Sequence, residues 1–381
     1  MYTLSEEENM ILTMVDGLCA DIVSEGAADI DVADEFPEEY YNLVKEQGLI
    51  GLAMPEEFGG FAVSMHCWAK SAARMAQELP ALGLTAFLPL VASHAIVAYG
   101  TDEQKQRYMP EIIMGEKKIS FAVTEPNAGS DIWNLTTKAV PEGDGYVLTG
   151  NKQFISNAAV ADYFCVIAKV EQDGEKLPTC FIVDATAEGV NVSSHERKLG
   201  LHASPTCPVG FDKVALGADC MVGTIGQGRE IALAAINRAR LGLAALGLGI
   251  TKAALKAAAE YALTRKQFGG PIADMQVIEQ TLADMRIAAT ASELMLDDAI
   301  EALETNALDA VARVAQAKAY CTEAAEAAAT AAIQVHGGYG FVCDYPVERY
   351  YRDAKALTII GGTNHVQRHA IARQVKKEYA L

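Results

Sequence analysis

The stretch Ile231 to Ile250 carries apolar residues around much of its circumference, and a helix of that kind is stable only when it is enclosed in a large core or an oligomer interface. From Glu230 to the end the chain is Ala-rich and reads as helical throughout. Ala has the highest helix propensity and lets helices approach closely, so Ala324 to Ala332 reads as a packed bundle helix and not as low complexity. With 381 residues, 51% of them hydrophobic, the chain can supply such a core, and an oligomer is expected to complete it.

Two other textures precede this region. Residues 1–119 show amphipathic helical segments, among them Glu38 to Gly48 and Val63 to Leu79, with breaks at Pro55, Gly59-Gly60 and Pro80. Residues 120–229 change to short β-type runs: Gly145 to Thr149, Tyr163 to Val170, Thr179 to Val183 and Val209 to Val214. These are β-branched or alternating and are separated by Gly, Asp, Asn and Pro, which predicts a small antiparallel β unit. The reading is a mainly α protein with a central β domain, followed by a helical bundle over residues 230–381.

Charge and spacing remove several functions. A net charge of −19, from 50 acidic against 31 basic residues, argues against a nucleic-acid surface, which needs clustered Lys and Arg. The uncharged run Leu241 to Thr251 is too short to span a bilayer, and Pro80 to Thr101 is interrupted by Pro89, Ser93 and His94; no membrane span is expected. The acidic N-terminus lacks the pattern of a secretory signal, and the eight cysteines show no CxxC spacing. Reduced, buried cysteines and a cytoplasmic location are expected. The seven His residues show no metal-ligand spacing.

Two segments hold most of the chemistry. FAVTEPNAGSD, Phe121 to Asp131, joins the helical and β regions and makes a tight turn at Pro126 to Gly129, whose N–H groups can face a polar ligand with the Thr124 and Ser130 hydroxyls. In QVHGGYGFVCDYPVERYYRD, Gln334 to Asp353, three glycines let a ligand approach the backbone. Together the segments resemble the acyl-CoA dehydrogenase family: Gln334, Gly337, Gly338, Gly340, Asp344, Arg349 and Asp353 fall at its signature positions. GNKQFISN (150–157), KLGLHASPTC (198–207), RKQFGGPIADMQ (265–276) and GGTNHVQ (361–367) extend the resemblance over essentially the whole chain.

The resemblance implies an N-terminal helical domain, a middle β domain and a C-terminal four-helix bundle, assembled as a homotetramer, with FAD between the β domain and the bundle. It implies that Phe121, Val123, Thr124, Gly129 and Ser130 wrap the flavin and that Phe154, Ile155 and Ser156 lie beside it. Arg265, Gln267, Phe268 and Gln276 are implied to reach the FAD of a neighbouring subunit, as are Gln334, Val335, Gly337 and Gly338. Thr363 and His365 are implied to touch FAD through their turn. Ser130, Asn237 and Arg240 are implied contacts of the acyl-CoA thioester, with Gly362 beside the acyl group. Arg238 and Arg240 point roughly 200° apart on a helix, so one of them faces the ligand, and Arg240 holds the family's position.

The reaction implied is removal of a proton beside the thioester with hydride transfer to FAD, or enoyl-CoA reduction in reverse, exchanging electrons with electron-transfer flavoprotein. It needs a carboxylate base. The two positions where the family carries that Glu are Gly361 and Ala239 here. No Asp or Glu occurs in residues 231–259 or 80–101, so a displaced carboxylate on those walls is excluded. His94 and His365 are the remaining candidates, His94 having a suitable intrinsic pKa. Three functions follow: a dehydrogenase or reductase with an atypical acid/base, an FAD-containing CoA-thioester lyase such as a desulfinase, or a non-catalytic FAD/CoA-binding subunit.

Overall fold

The computed structural model describes residues 2–380. The chain opens with α1 (Glu6–Leu18), α2 (Ser24–Ala33), α3 (Glu38–Glu46), α4 (Met65–Glu78), α5 (Pro80–Tyr99) and α6 (Asp102–Ile113). Helix α4 starts where Ser64 accepts a hydrogen bond from the Cys67 N–H at 3.1 Å. Pro80 stands at the first turn of α5, where its missing donor costs nothing. Pro89 lies inside α5 without ending it, so the expected interruption of residues 80–101 is not a break in structure. By length and composition α5 could cross a bilayer, as could the helix Gly228–Thr264; their apolar windows are 78% and 72% buried inside the fold.

Eight strands follow: β1 (Ile119–Ala122), β2 (Lys138–Glu142), β3 (Gly145–Ser156), β4 (Tyr163–Gln172), β5 (Glu175–Asp184), β6 (Val190–Val192), β7 (Thr206–Leu216) and β8 (Met221–Val222). They form one sheet in the order β6-β7-β3-β2-β4-β5-β8, with β1 also on β4. Contrary to the antiparallel expectation, the sheet is mixed: β1 and β2 both run parallel to β4. Parallel pairing needs a long connection, and the Phe121–Asp131 loop and β3 supply it. Strand β4 is buried on both faces. Cys165 and Ile167 join the helical core, whereas Phe164, Val166 and Ala168 join a second core with Leu148, Phe181 and Phe211.

The remainder is helical: α7 (Gly228–Thr264), a short hairpin of β9 (Lys266–Gln267) and β10 (Gly270–Pro271), then α8 (Gln276–Glu304), α9 (Ala310–His336), α10 (Val347–Leu357) and α11 (Asn364–Glu378). Helix α7 packs against α4, α5, α8, α9 and α10. Six cysteines are buried, Cys220 is half-buried and Cys343 exposed, all as free thiols. Burial pushes the Cys19 and Cys321 thiols up to about 12.

The first motif is fixed by a buried ion pair. The fully buried Lys152 ammonium, on β3, donates to Glu125 Oε1 at 2.9 Å and to the Val123 and Ile167 carbonyls at 3.0 and 2.7 Å. Glu125 also accepts from the Thr136 and Thr137 N–H groups, at 2.6 and 3.0 Å. Burial would raise the Glu125 carboxyl, but Lys152 and these donors outweigh it and hold it down at about 2. Removing one partner strands a buried charge. Lys152→Met is expected to lower the unfolding free energy by about 3–5 kcal/mol, measured by urea denaturation; a loss under about 1 kcal/mol contradicts this role.

Candidate functional site

Strand β3 ends in a left-handed turn, with φ of 59° at Phe154 and 57° at Asn157. Asn157 Nδ2 donates to Thr85 Oγ1 of α5 at 3.2 Å, and its Oδ1 accepts from Ser204 Oγ at 2.8 Å, which seats the strand end on α5. Across from it the Phe121–Asp131 loop is held by Gln153 N donating to the Thr124 carbonyl at 2.8 Å, and by Ser120 Oγ donating to the Ser156 carbonyl at 2.8 Å.

Between this rim, α5 and α7 lies a cavity of about 210 Å³. Its wall brings together Phe121, Val123, Thr124, Gly129, Ser130, Phe154, Ile155 and Ser156 with Ala239 and Arg240 of α7 and Gly361 and Gly362 of the turn before α11. Phe87, Leu88 and Val91 of α5 form its apolar side. The Thr124, Ser130 and Ser156 hydroxyls have no hydrogen-bond partner among the described residues, so they are available to a polar-edged ligand. Asn237 does not line the wall but accepts from Arg240 Nη1 at 3.1 Å.

The glycine turn is clamped. The Gly361 carbonyl accepts from Arg240 Nε at 3.2 Å and Gln367 Nε2 at 3.3 Å; the Gly362 carbonyl accepts from Gln367 Nε2 at 2.7 Å and Lys318 Nζ at 3.0 Å. With φ of 66° and 87°, the two residues take a conformation that L side chains rarely adopt. Thr363 caps α11 by accepting from the Val366 N–H at 3.3 Å, and Asn364 Oδ1 accepts from Lys318 at 2.8 Å. Burial pushes the Arg240 guanidinium down to about 10. Burial, then Arg240, pushes the Lys318 ammonium down to about 7.

The other candidates lie elsewhere. Arg265, Gln267, Val335, Gly337 and Gly338 line a second cleft that shares no wall residue with the cavity. Phe268, Gln276 and Gln334 are exposed, Phe268 at 97%. His365 is exposed on the first turn of α11. His94 is not on the cavity wall; burial, then Arg238, pushes its imidazole down to about 3. No Asp or Glu lines the cavity among the described residues.

The residues present fit a flavin. Unpartnered hydroxyls and a short backbone turn face an apolar slot, and a cation, Arg265, stands exposed at the second cleft, where a cofactor pyrophosphate would find it. Sequence reasoning missed Lys152, Glu125, Lys318 and Gln367 as positioning residues. The only signal for Lys318 was a lone cation between Ala317 and Ala319 on an Ala-rich helix. Lys318→Met leaves the Gly362 carbonyl and Asn364 short of a donor and is expected to destabilise the protein by about 1–3 kcal/mol, read from urea unfolding. An unchanged midpoint would mean that Gln367 and Arg240 hold the turn unaided.

Comparison with known proteins agrees with this arrangement. Three family profiles match: acyl-CoA dehydrogenase N-terminal domain (residues 5–116), middle domain (120–214) and C-terminal domain (226–376). The chain is 36% identical to an acyl-CoA dehydrogenase of Bacillus subtilis, covering 97% of this chain and 98% of that protein. It is 33% identical to the caffeyl-CoA reductase-Etf complex subunit CarC of Acetobacterium woodii, over 99% and 100%. The butyryl-CoA dehydrogenase structure from Megasphaera elsdenii superposes with a TM-score of 0.95 at 29% identity, over 98% and 99% of the two chains. The chain belongs to the acyl-CoA dehydrogenase family of FAD-dependent oxidoreductases, which act on the CH–CH group of acyl-CoA thioesters.

Proposed function

We propose that the chain oxidises an acyl-CoA thioester between its α and β carbons, or reduces the enoyl thioester in reverse, in the cavity between β3, α5 and α7. The observation that carries this reading is the convergence on one wall of the motif loop, the β3 terminus, Arg240 and the clamped Gly361–Gly362 turn. FAD supplies the hydride acceptor there. Thr124, Ser130 and Ser156 orient it, Arg240 and Ser130 hold the thioester end, and Phe87, Leu88 and Val91 keep water from the acyl part. Electron-transfer flavoprotein is the proposed redox partner, a reading supported by the Etf-complex relative.

A homotetramer is proposed as the working assembly. The second cleft carries Arg265 beside the 97% exposed Phe268, surface that a neighbouring copy and its cofactor would cover. The cytoplasm is the proposed location, where unpaired cysteines persist as thiols.

The absence of a carboxylate from the wall among the described residues favours a second reading, a redox-neutral CoA-thioester lyase. Anaerobic mixing of the holoenzyme with a panel of acyl-CoA thioesters separates the two. Bleaching of the flavin absorbance supports the dehydrogenase. Product from a β-substituted thioester without bleaching supports the lyase, and neither response leaves a binding subunit.

The two family positions for the base are unequal here. A Cβ on Gly361 would stand 2.5 Å from Leu243 Cδ1, on backbone that already disfavours a side chain, whereas Ala239 opens onto the cavity. Ala239→Glu is expected to raise the bleaching rate by about 10²–10⁴, and Gly361→Glu alone to raise it little and lower the thermal midpoint. Equal gains from both would show that the turn yields. His94 is neutral at physiological pH, so His94→Ala should leave the pH profile of bleaching unchanged between about pH 5 and 8. A lost or shifted limb would make His94 an acid/base after all.

A further inference from the structure

Residues 193–205 join β6 to β7 without helix or strand and touch three parts of the chain. Gly200 packs so closely on α10 that an added Cβ would stand 2.5 Å from the Arg352 carbonyl. The Leu201 N–H donates to Asp353 Oδ1 of α10 at 2.6 Å. Ser204 Oγ donates to Asn157 Oδ1 at 2.8 Å, and Asn157 directly follows Ser156, so the segment supports the end of β3 that lines the cavity.

The third contact, to α2, is made through His202. Its Nδ1 lies 3.0 Å from the Asp31 carbonyl and 3.2 Å from Asp31 Oδ1, and its Nε2 lies 3.1 Å from the Lys198 carbonyl. Both ring nitrogens therefore face oxygens that accept and do not donate. A neutral imidazole has one N–H and must aim a lone pair at one of these oxygens, whereas an imidazolium donates to both sides. The charged groups around the ring are Asp31 of α2, Lys198 of its own segment, and Glu348, Arg352 and Asp353 of α10. Asp31 is shared with Arg352, whose Nη2 donates to it at 2.6 Å, and Arg352 Nε donates to Glu348 at 2.7 Å. Lys198 and His195 face Asp34, just past the end of α2, at 3.7 and 3.6 Å, too far for hydrogen bonds.

We propose that His202 is a proton-dependent positioning residue: its imidazolium ties α2 to the segment that seats the β3 terminus, and loss of the proton releases one side of the tie. The inference goes beyond the acyl-CoA reading and does not rest on it. A histidine side chain changes charge between about pH 5 and 8, so the tie is complete at the acid end of that window and weakens toward the alkaline end.

Hydrogen exchange of the FAD-loaded protein tests this at two amides of the segment, Leu201 and Ser204, whose N–H groups donate to Asp353 Oδ1 and to the Leu201 carbonyl. Burial pushes the Asp353 carboxyl up to about 6, so its ionisation also weakens the native contact as pH rises, and the comparison must hold Asp353 constant. His202→Gln does so: it keeps one donor and does not titrate. After correction for intrinsic exchange rates, the ratio of wild-type to His202→Gln protection is expected to fall about tenfold from about pH 5.5 to 8, the factor for losing one hydrogen bond to a charged group. A constant ratio overturns the proposal, because the pH dependence then belongs to Asp353. His195→Gln is expected to leave the wild-type profile intact, and a profile flattened by that variant also overturns the proposal. If His202→Gln does not load FAD, His202→Asn takes its place, and wild-type protection that is constant over the range overturns the proposal without any variant.

Discussion

Enclosure of α7 is the constraint on which the rest of the structure depends. Its 37 residues expose little polar surface over their central turns, so it must be surrounded, and three glycines set how closely. A Cβ on Gly242 would stand 2.9 Å from the Phe87 ring, one on Gly247 would stand 2.6 Å from the Cys321 carbonyl, and one on Gly249 would collide with the Ala73 carbonyl. Helices α9 and α4 therefore approach α7 nearly to backbone contact, and the Phe87 ring of α5 lies directly over Gly242. That approach closes one side of the cavity with Phe87 and buries Arg240 on the inner side of the same helix. Packing and chemistry share one surface.

The sheet contributes by a different means. Its motif loop has few apolar side chains to bury, so it is held by charge and hydrogen bonds: Lys152 gathers the Val123 carbonyl, the Ile167 carbonyl and Glu125 around one ammonium. The glycine turn before α11 repeats the device with Lys318, Arg240 and Gln367. Irregular backbone at the cavity is thus fixed by buried cations where regular elements are fixed by apolar contact. The chain carries a net charge of −19, yet the one charged side chain on the cavity wall among the described residues is a cation, Arg240.

Much of this was legible in the sequence because periodicity and composition report burial directly. The all-round apolar face of Ile231 to Ile250 marked the central helix, and the alternation within Tyr163 to Val170 marked a strand now seen to divide its side chains between two cores. The motif residues converged because the loop and strand that carry them are adjacent in the fold. Other features depend on long-range partners. The parallel pairing of β1 and β2 with β4 is decided by where the chain returns, and the continuity of α5 through Pro89 is decided by the packing around it. Lys318 is a single residue among alanines, and its partner is a backbone carbonyl 44 positions away, which no local pattern encodes.

The missing base also changes meaning once the turn is seen. From sequence, Gly361 looks like a simple truncation of a Glu, with the rest of the site intact. In the fold the position is tight: a Cβ there would meet Leu243 Cδ1 at 2.5 Å, both glycines are left-handed, and both carbonyls accept from donors. A side chain there would have to displace Leu243 and strain a turn that Arg240, Gln367 and Lys318 hold from three directions. Leu243 and Ala239 lie four residues apart on α7, so they stand on one face of the helix, both on the cavity wall. On this face the helix sets the Leu243 side chain against the first base position and an alanine at the second. The polar side chain that remains at that end of the cavity is Arg240, which lines the wall and donates to the Gly361 carbonyl at 3.2 Å.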